Sequence, residues 1–191
     1  MRIYTRRGDD GTTGLYHGGR LRKDEPLVAA YGTVDEAQAF LGLARAEAGA
    51  GTALDDLLVG LERDLWVLMA DLASIEHRDR LEPARSLVTA GMVSILEGRI
   101  DALNAEVVMP TEFVVPGQNR VAALLDVART VVRRSERLAL AAGPAGPHVV
   151  PYLNRLSDLL WTMARWQEGE SRPARPAGAG EGGGEGGGGD R

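Results

Sequence analysis

The chain has 191 residues, a net charge of -5, 25 glycines and no cysteine. That length allows one domain or at most two small ones, and the acidic balance argues against non-specific nucleic-acid or acidic-membrane binding. Without cysteine there is no disulfide framework, thiolate zinc site or cysteine nucleophile, while 44% hydrophobic residues suffice for a real core.

Residues 1–24 are polar and punctuated by glycine, and read as an N-terminal arm or ordered loop. No apolar run follows Met1, so the arm does not read as a secretory signal. No segment reaches the roughly 18 apolar residues that a membrane span needs. A soluble cytoplasmic protein is expected. Helical spacing begins after Pro26 and runs through Leu27, Tyr31, Val34, Gln38 and Leu41 to about Glu47. A second helix is expected from about Ala53 to Glu76, striped by Leu54, Leu58, Leu61, Leu65 and Leu72. A third is expected from about Ala84 to Val107, after Pro83. Met109–Gly117 is a proline-bounded connection. A fourth helix is expected from about Gln118 to Ala142 and a fifth from about Val149 to Gln167, across the Gly143–Pro147 break. No convincing strand competes with them. Short connections favour an all-α, five-helix up-down bundle, covering 25–172. Residues 173–191 are Gly-, Pro- and Ala-rich and are expected to be a disordered tail.

Five constellations have chemical content. Thr5, Arg6, Arg7, Gly8, Thr13, Gly14 and Lys23 combine glycines, hydroxyls and cations, as in a phosphate cradle, without the Walker A spacing. The same residues also suit a mobile glycine-rich terminus. Lys23 is the one lysine among the 22 cations. On the fourth helix, Arg129, Arg133, Glu136 and Arg137 share a face by their i, i+4, i+7 and i+8 spacing. That face suits either a polyphosphate or a solvated Arg–Glu lattice. In the first helix, Tyr31-Gly32-Thr33-Val34-Asp35-Glu36 sets paired acids beside two poor helix formers, which hints at close packing or a site. In the last helix, Asn154 and Asp158 lie at i, i+4 and suit helix–helix hydrogen bonding, a nucleotide or a magnesium shell. Phe113 sits in a loop, where it either plugs the core or lines an apolar pocket. His17, His77 and His148 have no partner at metal-ligand spacing.

TRRGDDGTTGLYHGGRLRKD, YGTVDEAQA, FVVPGQNRVAALLDVARTVVRRSER and YLNRLSDLLWTMAR, in that order, resemble the PduO-type ATP:cob(I)alamin adenosyltransferases, the corrinoid adenosyltransferases. The resemblance covers about residues 3–168. It implies a five-helix bundle assembled as a homotrimer, with ATP between subunits. It implies transfer of the 5′-deoxyadenosyl group of ATP to the Co(I) of reduced cobalamin, with release of inorganic triphosphate and with Mg2+ as the accompanying ion. The alternative is a non-catalytic ATP or adenosylcobalamin carrier or sensor on the same fold. Thr5 to Gly8, Thr13, Gly14 and Lys23 match the family's ATP-binding arm. Arg133, Arg134, Ser135, Glu136 and Arg137 match its RRxER nucleotide-binding run, and Asn154 an Asn near the phosphates. Asp35 and Arg129 match a salt bridge across the subunit interface. Phe113 matches the aromatic below the corrinoid that keeps cobalt four-coordinate. The implied partners are a reductase and an adenosylcobalamin-dependent mutase. Three departures stand out: Gln118 for the second glycine after Pro116, Asp126 for the histidine of LHxAR, and Arg6-Arg7 where one cation is usual.

Overall fold

The computed structural model describes residues 3–16, 18–74, 83 and 85–175. It opens with a small hairpin of β1 (Thr12–Gly14) and β2 (Arg20–Arg22), followed by α1 (Pro26–Ala48) and α2 (Ala53–Leu72). Next come α3 (Ala90–Glu106), β3 (Val114–Val115), α4 (Arg120–Ala141), α5 (Val149–Glu168) and β4 (Arg172–Pro173). All five expected helices are present.

Side-chain chemistry explains the helix boundaries. Pro26 opens α1, where its missing N–H costs nothing. Thr52, Thr89 and Asn119 accept hydrogen bonds from the backbone N–H groups of Asp55, Met92 and Ala122, at 3.1, 3.3 and 2.8 Å. Gly49 closes α1 at a φ of +83°, a conformation that L residues with a Cβ avoid. Two boundaries differ from the sequence reading. α2 ends at Leu72 rather than Glu76, as the N–H of Ser74 turns back to the Asp71 carbonyl. α3 starts at Ala90 rather than Ala84, because Thr89 is its cap and Val88 N–H is taken by the Asp71 carboxylate at 3.0 Å.

The helices pack in the spatial order α2–α1–α4–α5–α3, with α1 against α4 the most extensive pairing. Its buried positions are mostly small: Ala30, Ala37 and Ala44 on α1, and Ala122, Ala128 and Ala139 on α4. Small side chains let two backbones approach closely. The flanking layers use larger side chains, with Leu58, Leu61, Leu65 and Leu68 of α2 and Leu153, Leu156, Leu159 and Met163 of α5 fully buried. Each such leucine contributes roughly 1.5–3 kcal/mol by leaving water.

The expectation that no strand would form needs correction. β1 and β2 pair antiparallel, with Thr12 opposite Arg22, Thr13 opposite Leu21 and Gly14 opposite Arg20. β3 and β4 also pair antiparallel, Val114 opposite Pro173 and Val115 opposite Arg172. These ladders are too short to show an apolar alternation; Arg20 clamps the first through Thr12 and Arg7, and the second is extended by the Ala174 N–H on the Phe113 carbonyl. The expected tail therefore begins with a paired residue, Pro173, and from 176 onward lies outside the described residues. His17 and His77 also lie outside them.

Candidate functional site

The N-terminal arm is organised by a cation that sequence reasoning passed over. The guanidinium of Arg20 donates to the Thr12 hydroxyl from Nε at 2.9 Å, and from Nη2 to the Arg7 carbonyl and again to Thr12. Asp10 anchors the same threonine, accepting from its N–H at 2.9 Å and its hydroxyl at 2.7 Å. These bonds, the Thr12 hydroxyl first, hold the Asp10 carboxyl below its ordinary range. Lys23 Nζ donates to the Gly8 carbonyl at 2.8 Å, and its backbone N–H to the Gly11 carbonyl at 2.9 Å. A Cβ on Gly8 would stand 3.2 Å from both Lys23 Nζ and the Thr12 carbonyl oxygen, tighter than ordinary contact. Arg6 adopts a φ of +60°, uncommon for a non-glycine residue, and lies over the Tyr4 ring at 5.6 Å. Thr5 Oγ1 accepts from the Arg7 N–H at 3.4 Å. Thr5, Arg6, Arg7, Gly8, Thr13, Gly14 and Lys23 thus belong to one pre-shaped loop and hairpin, and most of them remain exposed.

The RRxER run divides into two faces. Arg133, Arg134 and Arg137 are exposed on α4. Arg137 donates to the Arg133 carbonyl at 2.9 Å, and Arg134 is bound to Glu36 of α1. Ser135 lies on the opposite face: it is fully buried and its hydroxyl donates to the Val131 carbonyl at 3.1 Å. It serves the core in this structure and does not join the exposed arginines. Glu136 is half-buried and accepts from Asn154 Nδ2 at 3.2 Å, joining α5 to α4. Asn154 Oδ1 is in turn bound by Arg155. Arg133, Arg137, Glu136 and Asn154 therefore form one continuous polar surface.

Asp35 is exposed on α1 and has no ion-pair partner among the described residues. Arg129 is half-buried and donates from Nε to Asp126 Oδ1 at 3.0 Å. The two matched residues are not paired in a single chain. Gly32, beside them, has open space around its Cβ position, so close packing within the chain does not explain it.

Phe113 is 91% exposed, so it does not plug the core. It stands on the loop over a cavity of about 490 Å³ whose lining includes Phe113, Pro116, Asp126, Arg129, Trp161 and Arg165. The loop also contributes Thr111, Glu112 and Val114 to that lining. Trp161 and Arg165 were not anticipated: an arginine on the buried face of α5 breaks the apolar stripe, and that was the only signal available.

These elements define a helical-bundle protein with a structured N-terminal arm, an exposed arginine face on α4 and a cavity at the Phe113 loop. The profile of the cobalamin adenosyltransferase family matches residues 3–167. A corrinoid adenosyltransferase of Mycobacterium bovis is 43% identical over 188 residues, covering 91% of this chain and 96% of the relative. One of Bacillus subtilis is 40% identical over 171 residues, covering 86% of each. Among solved structures, a Phe-to-His variant of a PduO-type ATP:corrinoid adenosyltransferase from Lactobacillus reuteri, complexed with cobalamin and ATP, superposes with a TM-score of 0.83 at 29% identity. That match covers 92% of this chain and 97% of the other. An Arg-to-Lys variant complexed with ATP superposes at 0.79, also at 29% identity, over 91% of this chain and 100% of the other. The chain belongs to the cobalamin adenosyltransferase family.

Proposed function

We infer that the chain transfers the 5′-deoxyadenosyl group of ATP to the Co(I) of reduced cobalamin, giving adenosylcobalamin and inorganic triphosphate. The observation that carries this is a pre-shaped glycine–threonine arm and an exposed arginine face in a chain that also carries a cavity lined by Phe113 and Trp161. Relatives at about 40% identity across nearly the whole chain have the same activity by name. Co(I) is itself the nucleophile toward the ribose C5′. The protein's task is positioning and charge handling, which fits a site rich in arginine and without a nucleophilic side chain.

Arg133 and Arg137 meet the triphosphate and stabilise the charge that grows as it leaves. Thr5, Arg6, Arg7, Gly8, Thr13 and Gly14 close over it from the arm, with Lys23 bracing Gly8 and reaching the phosphates. Arg134, Glu136 and Asn154 order the surface beneath. Ser135 supports the helix from inside. Phe113 covers the lower face of the corrinoid and excludes an axial ligand there, which eases reduction to Co(I). The described residues include no cluster of three His, Asp or Glu side chains suited to a metal. An ion arriving with ATP is held mostly by phosphate oxygens and water.

β1 and β2 pack chiefly on each other rather than across the helices. That favours an arm that reaches the α4 of a neighbouring subunit in a homotrimer, where Asp35 of one subunit takes Arg129 of the next. No described helix is long and apolar enough to cross a membrane, in keeping with a cytoplasmic enzyme. Its substrate must arrive from a reductase and its product go to an adenosylcobalamin-dependent mutase.

The direct test is to mix the protein with ATP, Mg2+ and chemically reduced cobalamin. Growth of the adenosylcobalamin spectrum with equimolar triphosphate is expected. Tight binding of both ligands without turnover would instead indicate a carrier or sensor.

A further inference from the structure

Beneath the Phe113 loop lies a buried ionic chain that nothing in the reaction directly requires. Arg165 of α5 is 4% exposed. Its Nη2 donates to Asp126 Oδ2 of α4 at 2.6 Å and to Glu168 Oε1 at 2.9 Å. Its Nε lies 2.8 Å from Glu168 Oε2, an ion-pair contact without hydrogen-bond alignment. The Glu168 side chain is fully buried. Asp126 also holds Arg129, so two carboxylates and two guanidiniums balance. The chain then leaves the helices: Ser171 donates to Glu168 Oε2 at 3.1 Å. Arg172 and Pro173 pair with Val115 and Val114, and the N–H of Ala174 donates to the Phe113 carbonyl at 2.7 Å.

A buried ion pair is a poor source of net stability, because desolvation offsets most of its attraction. Its distinctive property is directional: a guanidinium fork fixes its carboxylate partners in one plane. Here that fork sits in the cavity floor and, through Glu168 and Ser171, sets where the strand paired to Phe113 begins. We propose that Asp126 and Arg165 are positioning residues for the Phe113 loop: the Asp126–Arg165–Glu168–Ser171 chain holds that loop at the height over the cavity at which the corrinoid's lower face is covered. The proposal rests on the reading of Phe113 given above. It assigns a role to Asp126, which stands where the resemblance leads one to expect histidine.

The test uses cob(II)alamin with ATP and Mg2+ on the full chain, reading the four-coordinate Co(II) fraction by electron paramagnetic resonance. ATP affinity and thermal unfolding are measured alongside. Asp126→Asn removes the charge at constant shape. Ser171→Ala cuts the chain at its gentlest link and leaves the buried pair intact. Both should lower the four-coordinate fraction and slow turnover on the order of 10-fold to 100-fold, as expected for a slightly misplaced group, with ATP affinity unchanged. Arg165→Lys, with the charge but not the fork, should fall between these and the parent. Phe113→Ala is run beside them. If Phe113→Ala abolishes the signal while Asp126→Asn and Ser171→Ala keep it in full, the positioning role is wrong and the reading of Phe113 stands. If Phe113→Ala itself keeps the signal, both fail. A loss of ATP affinity parallel to the loss of signal would make the chain a general structural support and overturn the proposal.

Discussion

Arg133 is exposed with its carbonyl bound by Arg137 one turn on, and among the described residues nothing claims its guanidinium. A forked cation left unpaired on an ordered helix is poised for a multiply charged acceptor. Arg133→Ala is therefore expected to lower kcat about 10²–10³-fold, the usual effect of losing a contact to charge developing in the transition state. Steady-state kinetics with saturating ATP would show it, and near-parental kcat would remove Arg133 from the phosphates. Lys23 has two tasks: a brace on the Gly8 carbonyl and a charge near the phosphates. Lys23→Arg keeps charge but replaces a compact ammonium with a planar fork, beside a glycine already closely approached. A raised KM for ATP with a smaller change in kcat is expected, and wild-type values for both would make the lone lysine an accident of composition. At this scale the sequence was informative about exposure, as with the arginines of α4, whose i, i+4 and i+8 spacing puts Arg129, Arg133 and Arg137 on one face. It did not show, from the run alone, that Ser135 is buried and bonds the Val131 carbonyl. It was silent on Arg20 and Arg165, whose importance lies in partners 8 to 39 positions away.

At the scale of elements, helical periodicity was legible because each helix buries one stripe, and the stripe repeats every three or four residues. Leu65 lies in the middle of that stripe on α2 and is fully buried. Leu65→Ala should destabilise the fold by about 2–5 kcal/mol through lost burial and a residual cavity, measurable by chemical denaturation. The short ladders and the late start of α3 were not legible. The first ladder and the start of α3 depend on Arg20 and Asp71 reaching backbone groups of Arg7 and Val88, 13 and 17 positions away. A polar contact between α2 and α5 was hidden in the same way. Tyr152, fully buried, donates its hydroxyl to Asp64 Oδ2 at 2.9 Å. Burial raises the Asp64 carboxyl above its ordinary value of 3.8, opposed by the Tyr152 bond and the charge of Arg99. Burial and the Asp64 charge push the Tyr152 hydroxyl well above 10.0. A carboxyl raised on folding binds its proton more tightly in the folded state. Its contribution is present in full at acid pH below 3.8 and is lost as pH climbs through the folded value. Asp64→Asn, which cannot lose that proton, should therefore gain stability relative to the parent as pH rises from below 4 toward neutrality. Unfolding curves for the two proteins across that window would test this. A constant difference would show that Asp64 titrates as it does in the unfolded chain.

At the scale of the molecule, β1 and β2 pack chiefly on each other, and among the described residues the arm makes no extensive contact with α4. The arm packs mainly on itself, and the arginine face of α4 is open. If the arm closes on a neighbour, each site is heterologous and the ring of subunits must close on itself. Leu43, Val127 and Leu140 are exposed on helices that flank these surfaces and supply apolar area for such contacts. The consequence can be tested with two defective proteins. Lys23→Ala damages only the arm, and Arg133→Ala only the α4 face. Alone, each leaves every site defective. Co-refolded in equal amounts, random assembly would unite an intact arm with an intact α4 face in about a quarter of the sites, and turnover should recover toward that fraction. A site formed within one chain has no such route, because every subunit carries one lesion or the other. Mixed oligomers with no more activity than the separate variants would place arm and arginine face in the same subunit.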